Sequence, residues 1–151
     1  MVDEGAPAPD FELRSDEGAT VKLSALRGKP VVLYFYPKDD TPGCTTEACE
    51  FRDAYDRFRK QGVEILGVSP DTEASHRKFK SKYELPFTLL ADPEHEVAEA
   101  YGVWKEKKNY GKTYHGVERS TFVIDAEGKV ARAMRGIKPA GHAARVLETL
   151  P

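Results

Sequence analysis

Two cysteines are the residues of this chain best suited to covalent chemistry, and both lie in one short segment. Cys44 and Cys49 are the only cysteines among 151 residues, and they occur in the stretch YPKDDTPGCTTEACEF at positions 36–51. Zinc sites and thioredoxin-like redox turns typically place two residues between their cysteines, whereas four residues separate this pair. Neighbours on a helix face are three or four positions apart. The spacing therefore calls for another explanation.

The surroundings of Cys44 predict a reactive thiolate. The apolar run PVVLYFYP at 30–37 indicates a strand buried on both faces, and after a polar loop a helical pattern begins at about Gly43. Cys44 is thus expected in the first turn of a helix at the C-terminal edge of a sheet, where open α/β folds place their sites. Unpaired N–H groups and the partial positive charge of a helix N-terminus favour the thiolate, which is the nucleophile. Thr41 can direct its hydroxyl at the sulfur, and Pro37 restricts the loop backbone.

The elements that must position this segment are those of an α/β domain. The alternating stretch FELRSDEGATVKL at 11–23 predicts an N-terminal β-hairpin, VEILGVSP at 63–70 a second buried strand, FTLLAD at 87–92 a short strand, and RSTFVIDAEGKVARAMRG at 119–136 a late hairpin. Four sets of apolar or aromatic residues recur at helical spacing: Ala48, Phe51, Tyr55 and Phe58; His76, Phe79 and Tyr83; Val97, Ala98 and Tyr101; and Ala143, Val146, Leu147 and Leu150. We therefore expect residues 1–151 to form one three-layer α/β/α domain with a mixed central sheet.

Composition and charge argue against several classes of partner. The 25 acidic and 23 basic side chains give a formal net charge of −2, and both signs are interspersed without a basic stripe, so no nucleic-acid partner is expected. No apolar stretch approaches the roughly 20 residues of a membrane-spanning helix, and the first residues lack the pattern of a secretory signal. We expect a cytoplasmic protein without membrane contact, in a compartment where disulfides are usually transient and catalytic.

The motif around the first cysteine resembles that of a known family. Pro37, Thr41 and Cys44 match the Pro-x-x-x-Thr-x-x-Cys motif of the peroxiredoxins. The longer run DDTPGCTTEACEFRD, with its second cysteine, closely resembles the Q subfamily, also called bacterioferritin comigratory proteins. The similarity continues in LYFYPKD, VEILGVSPD, LLADP, AYGVW and ERSTFVIDAEGKV, so it covers nearly the whole chain.

This resemblance implies a thioredoxin-like fold and thiol-dependent reduction of hydrogen peroxide and organic hydroperoxides. Cys44 would be the peroxidatic nucleophile that becomes a sulfenic acid. Thr41 would hydrogen-bond the thiolate and the peroxide, and Pro37 would shield the intermediate from water. Arg119 occupies the position of the family arginine and would stabilise the thiolate and the developing oxygen charge. The backbone N–H groups of Gly43 and Cys44 would complete the substrate-binding pocket.

The resemblance further implies that Cys49 resolves the sulfenic acid. A Cys44–Cys49 disulfide would form within the chain, and thioredoxin or a similar dithiol reductant would reduce it. Five positions along an α-helix give a rise of about 7.5 Å and a rotation of about 140°, which places the two Cα atoms about 8–9 Å apart, beyond the roughly 7 Å limit for a disulfide. The first turns must therefore unwind before the bond forms. The chain itself needs no metal, flavin or nicotinamide, and the resemblance favours a monomer.

Two functions of other classes are weighed against this one. A thiol–disulfide exchange protein on the same fold would carry a Cys-x-x-Cys pair at the helix start, which the sequence lacks. A redox-sensing module would not require Pro37, Thr41 and Arg119 together and would not turn over peroxide. Consumption of peroxide with a reductant separates the three possibilities.

The remaining polar residues are assigned structural roles. The four histidines, His76, His95, His115 and His142, are scattered and show no metal-ligand spacing. Lys38, Asp39 and Asp40 are predicted to form a solvated loop.

Overall fold

A seven-stranded mixed sheet lies at the centre of the protein, which a computed structural model describes over residues 2–150. Its strands are β1 (Glu12–Ser15), β2 (Thr20–Lys22), β3 (Val31–Phe35), β4 (Glu64–Ser69), β5 (Thr88–Ala91), β8 (Ser120–Ile124) and β9 (Val130–Arg135), in the order β2-β1-β5-β4-β3-β8-β9. β3, β4 and β5 run parallel, whereas β1 and β8 pair antiparallel with β5 and β3. The mixed sheet expected from the sequence is confirmed.

Helices cover both faces of this sheet. They are α1 (Pro42–Lys60), α2 (Glu73–Tyr83), α3 (Glu96–Ala100) and α4 (His142–Glu148), with a 3-10 helix over Leu23–Leu26. Buried residues of α1, α2 and α4 share one core cluster, and those of α3 and the 3-10 helix share the other. The three-layer α/β/α architecture is confirmed.

Strand β3 contributes to both cores and is followed by the loop that leads to Cys44. Because successive side chains of a strand point to opposite faces, Leu33 and Phe35 pack in the α3 cluster, while Val32 and Tyr34 pack in the α1 cluster. All five strand residues are buried, as expected for a continuous apolar run in the middle of a sheet. β3 ends at Phe35 between the two helical layers, and a loop of six residues connects it to α1.

The fold contains three hairpins, and the sequence predicted two of them. The N-terminal hairpin is β1–β2, which joins the sheet edge through β1 and β5, and the late hairpin is β8–β9. A separate hairpin of β6 (Trp104–Asn109) and β7 (Lys112–Val117) was not predicted. Its two turn residues, Tyr110 and Gly111, have φ angles of 53° and 75°, the left-handed backbone that a two-residue type I′ turn requires.

Candidate active site

Cys44 lies in the first turn of α1, where the sequence predicted it. Thr41 is the N-cap, α1 begins at Pro42, and Cys44 is 1% exposed. As the second and third residues of the helix, Gly43 and Cys44 carry N–H groups without a partner inside the helix. These donors and the helix dipole converge on the sulfur, so the position suits an anionic sulfur or an anionic oxygen bound beside it.

Arg119 is distant from Cys44 in sequence but contacts its sulfur in the structure. Strand β8 pairs antiparallel with β3, and Ser120 lies opposite Phe35. The residue before β8 therefore lies beside the end of β3, next to the loop that leads into α1. From there Arg119 Nη2 donates a hydrogen bond to Cys44 Sγ at 3.3 Å, across 75 positions of sequence. The sheet register brings together the two residues that the resemblance paired.

Glu47 is a site residue that the sequence interpretation missed. It is fully buried, and its Oε1 accepts a hydrogen bond from Arg119 Nη1 at 2.7 Å. Burial raises the pKa of Glu47 to about 7, even though the charge of Arg119 opposes this shift. Its other oxygen, Oε2, has no hydrogen-bond partner among the described residues. Glu47 thus fixes the guanidinium that contacts Cys44, and it does so with a carboxylate that is costly to ionise. The available clue was its spacing of three from Cys44, which places both on one helix face.

Gly43 provides the space that Arg119 occupies. A Cβ atom at this position would lie 3.1 Å from Arg119 Nη2 and 3.4 Å from Cγ of Pro139. A Cβ atom here would press on the guanidinium and displace it slightly, so glycine favours its close approach to the helix start.

Thr41 and Pro37 lie at the entrance to the site. The Thr41 hydroxyl donates to the carbonyl of Lys38 at 2.8 Å, so it is not directed at the sulfur in the way the sequence interpretation expected. Its oxygen can still accept a hydrogen bond, because a hydroxyl donates one and accepts two. Pro37 is half-buried on the same rim. The catalytic roles of both residues remain predictions.

An open groove of about 480 Å³ adjoins Thr41 and is walled by the β6–β7 hairpin. Trp104, Pro70 and Val117 contribute apolar surface to it. Lys107 reaches along the hairpin, and its Nζ donates to the carbonyl of Val117 at 2.6 Å. Burial, followed by the charge of Arg119, lowers the pKa of Lys107. The groove thus has apolar walls and contains Lys107, a second cationic side chain near the site in addition to Arg119.

Cys49 lies further along the same helix, and both cysteines are free thiols. Cys44 is buried and Cys49 is half-buried. Because α1 is continuous over both residues, ideal helix geometry separates their Cα atoms by about 8–9 Å, and a disulfide requires less than about 7 Å. The cysteines therefore cannot bond while this helix is intact.

The loop before α1 is not the solvated segment that the sequence interpretation described. Lys38 and Asp40 are exposed, but Asp39 is 8% exposed and its Oδ2 lies 2.7 Å from Nδ1 of His76. His76 is fully buried on α2. The prediction was wrong for Asp39 because its partners come from an element more than 30 residues away, which local polarity does not reveal.

The described residues contain neither a grouped set of metal ligands nor a membrane-spanning helix. Over positions 2–150, no three His, Cys, Asp or Glu side chains are grouped so that they could hold a metal ion. Nor does any helix in that range have the length and apolar character to cross a bilayer.

Comparison with known proteins places the chain in a family. Residues 5–133 match the model of the AhpC/TSA family. The chain is 56% identical over 149 residues to peroxiredoxin Bcp of Bacillus subtilis, covering 99% of this chain and 95% of that protein. It is 44% identical to peroxiredoxin Bcp of Escherichia coli K12, with 97% and 94% of the two chains covered.

A solved structure agrees with this relationship. The bacterioferritin comigratory protein of Xanthomonas campestris superposes with a TM-score of 0.91 at 43% identity, over 97% of this chain and 96% of that one. The thioredoxin-like fold that the resemblance implied is therefore confirmed, and the chain belongs to the AhpC/TSA family of peroxiredoxins.

Proposed function

We propose that the protein is a thiol-dependent peroxidase in which Cys44 reduces hydroperoxides and Cys49 resolves the product. The observation that carries the proposal is the bond between the Arg119 guanidinium and Cys44 Sγ at 3.3 Å, in the first turn of α1. A fixed cation and unpaired helix N–H groups around a buried sulfur favour the thiolate. They also form a preorganised site for the negative charge that develops on oxygen.

In the first step, the Cys44 thiolate attacks one oxygen of the hydroperoxide. The O–O bond breaks, the sulfur becomes a sulfenic acid, and the leaving oxygen takes up a proton to depart as water or an alcohol. Arg119 stabilises that leaving oxygen, while Glu47 holds its guanidinium in place. The N–H groups of Gly43 and Cys44 and the hydroxyl of Thr41 orient the peroxide, and Pro37 limits access of water.

In the second step, the Cys49 thiol attacks the Cys44 sulfenic acid, forming a disulfide and releasing water. The first turns of α1 must unwind for this to happen. Thr45, Thr46 and Gly43 are weak helix formers, so they keep the cost of local unfolding low. A dithiol reductant such as thioredoxin then reduces the exposed disulfide by thiol–disulfide exchange, which restores both thiols.

The groove beside Thr41 supports organic hydroperoxides as substrates in addition to hydrogen peroxide. Its apolar walls, including Trp104 and Pro70, suit the organic group of such a molecule. The related protein from Xanthomonas campestris is described as having alkyl peroxide reduction activity. Comparison of kcat/KM for cumene hydroperoxide and hydrogen peroxide measures this preference directly.

We further propose that the protein acts as a monomer in the cytoplasm. A disulfide that forms and is reduced in each catalytic cycle suits a reducing compartment, and a disulfide formed within one chain needs no second subunit. Sedimentation velocity of the reduced protein is expected to give the mass of one chain, and a stable dimer would contradict this.

Peroxide consumption with thioredoxin and thioredoxin reductase tests the function. Wild type should consume hydrogen peroxide catalytically, and Cys44→Ser should be inactive. The variant Lys108→Gln, on the exposed side of the β6–β7 hairpin, serves as a control that should retain wild-type activity. A protein that exchanges disulfides with protein substrates but leaves peroxide untouched would instead support the disulfide-exchange alternative. One turnover without recycling by any dithiol would support the redox sensor.

A further inference from the structure

Two neighbouring aspartates attach the loop before α1 to α2. We call residues 37–41 the catalytic loop, because they carry Pro37 and Thr41 and lead directly to Cys44. Asp39 Oδ2 accepts from Ser75 Oγ at 2.8 Å and lies 2.7 Å from His76 Nδ1. Asp40 adds an outer attachment, with Lys82 Nζ and the Tyr83 hydroxyl each 2.7 Å from its carboxylate oxygens.

The Asp39 attachment is buried and its polar groups have specific partners. Asp39 Oδ1 accepts from the Tyr36 hydroxyl at 2.6 Å, and the Asp39 N–H donates to Asp71 Oδ2 at 2.8 Å. His76 is fixed at its other nitrogen, since Nε2 lies 2.9 Å from the carbonyl oxygen of Leu90 on β5. A buried carboxylate with this many donors is held far more firmly than one on an exposed loop.

The hydrogen bonds of His76 require a proton on each side of its ring. The Leu90 carbonyl can only accept, so Nε2 must carry a hydrogen. A hydrogen bond between Nδ1 and Asp39 requires a second proton between these two groups, whichever of them holds it. The hydrogen-bonded pair of Asp39 and His76 therefore carries no net charge, and its shared proton links the catalytic loop to α2.

This attachment fixes the carbonyl on which α1 begins. The first hydrogen bond of the helix runs from the Thr45 N–H to the Thr41 carbonyl at 2.8 Å, and Thr41 lies two residues after Asp39. Starting a helix is its costly step, because several residues must be ordered for one hydrogen bond. Because the catalytic loop is already fixed, fewer residues must be ordered to start α1. The attachment therefore stabilises the state with a helical first turn relative to the state in which that turn is unwound.

We infer that His76 is a positioning residue of the peroxidase cycle. Through Asp39 it holds the catalytic loop in the conformation in which Cys44 reacts with peroxide, and it disfavours the unwound conformation in which Cys44 bonds Cys49. This inference rests on the proposed function for its role in the cycle. The inference also states that His76 shifts the equilibrium between the dithiol and disulfide forms toward the dithiol, and this shift can be measured without peroxide.

Two variants of His76 separate its two hydrogen bonds. The amide nitrogen of asparagine occupies the place of Nδ1, so His76→Asn keeps a donor toward Asp39. The longer glutamine places its amide nitrogen near Nε2, so His76→Gln keeps the bond to Leu90 and loses the one to Asp39. His142→Gln is the matched control, because His142 is equally buried but bonds to Thr121 at 2.7 Å, away from the catalytic loop.

The measurement is the midpoint potential of the Cys44–Cys49 couple in a dithiothreitol redox buffer. In His76→Gln the disulfide should be favoured about tenfold over wild type, which lowers the potential by about 30 mV for two electrons. His76→Asn should lie near wild type, and His142→Gln should lose stability without changing the potential. An unchanged potential in His76→Gln, or equal shifts in both His76 variants, would overturn the inference.

A variant at the half-buried Ser75 of α2 covers the case in which His76→Gln does not fold. Ser75→Ala removes another donor to Asp39 without opening a large cavity. It should lower the potential in the same direction by a smaller amount, and an unchanged potential would again overturn the inference. Because the redox titration uses no peroxide, failure of the peroxidase assay and failure of this inference are separate results.

Discussion

Replacing Glu47 with glutamine is expected to stabilise the folded protein above neutral pH while slowing its attack on peroxide. Glutamine retains an oxygen that can accept from Arg119 Nη1, so the change removes charge with little loss of shape. The positioning bond at 2.7 Å then becomes one between a cation and a neutral acceptor. The charge of the carboxylate no longer strengthens this bond, and the second-order rate constant with hydrogen peroxide should fall about tenfold.

The size of the stability gain follows from the pKa of Glu47. Burial raises this pKa from an ordinary value of 4.5 to about 7, against the opposing charge of Arg119. A tenfold change in proton affinity is worth about 1.4 kcal/mol, so the ionised side chain lowers the free energy of unfolding by about 3 kcal/mol. Below pH 4.5 the carboxyl is protonated in both the folded and the unfolded state, and glutamine gains nothing there. The gain develops between pH 4.5 and about 7 and is fully present above that range.

Urea unfolding of the reduced proteins measures this difference. Glu47→Gln should exceed wild type in free energy of unfolding by about 1 kcal/mol at pH 5 and about 3 kcal/mol at pH 8. Asp56→Asn, which removes an exposed carboxylate from the same helix, is the control and should show almost no difference at either pH. A glutamine variant that is less stable than wild type at pH 8 would refute the reasoning. It would mean that the pair with Arg119 outweighs the cost of burying the carboxylate.

Three further substitutions test the site. Arg119→Lys should slow Cys44 oxidation at least tenfold in stopped-flow fluorescence, because a point charge cannot bond Glu47 and the sulfur together as a planar fork does; an unchanged rate would remove Arg119 from the site. Gly43→Ala should slow the same step by displacing the guanidinium, since its Cβ would lie 3.1 Å from Nη2, and a crystal structure would show any shift. Cys49→Ser should undergo one oxidation and stall as a sulfenic acid, detected by dimedone labelling, whereas normal turnover with thioredoxin alone would contradict its resolving role.

The parts of the fold with strong local patterns could be predicted from the sequence. β3 was predictable because a run of apolar residues without polar interruption fits only a strand buried on both faces. The position of Cys44 followed from that strand, the short loop and the helical spacing of Ala48 and Phe51. In both cases the prediction depends only on residues that are close in sequence. The register of the strands in the sheet could be seen only in the structure.

What the sequence did not reveal depends on contacts between distant segments. Asp39 looked like a loop residue because its buried state comes from α2. The β6–β7 hairpin was missed because its lysine-rich strands have little buried face, and only the turn at Tyr110 and Gly111 marked it. Glu47 was different, since its helical spacing from Cys44 was visible. Its burial and its bond to Arg119 nevertheless depend on where β8 packs.

Amide hydrogen exchange of the dithiol and disulfide forms tests the central claim most directly, namely that Cys44 reacts from an intact helix start and must leave it to reach Cys49. In the dithiol form, protection should begin at Thr45, whose N–H makes the first hydrogen bond of α1. In the disulfide form, protection should fall across residues 41–50, while β3 and β8 keep theirs. Equal protection of α1 in both forms would contradict the account, because two cysteines at this spacing cannot bond on an unbroken helix.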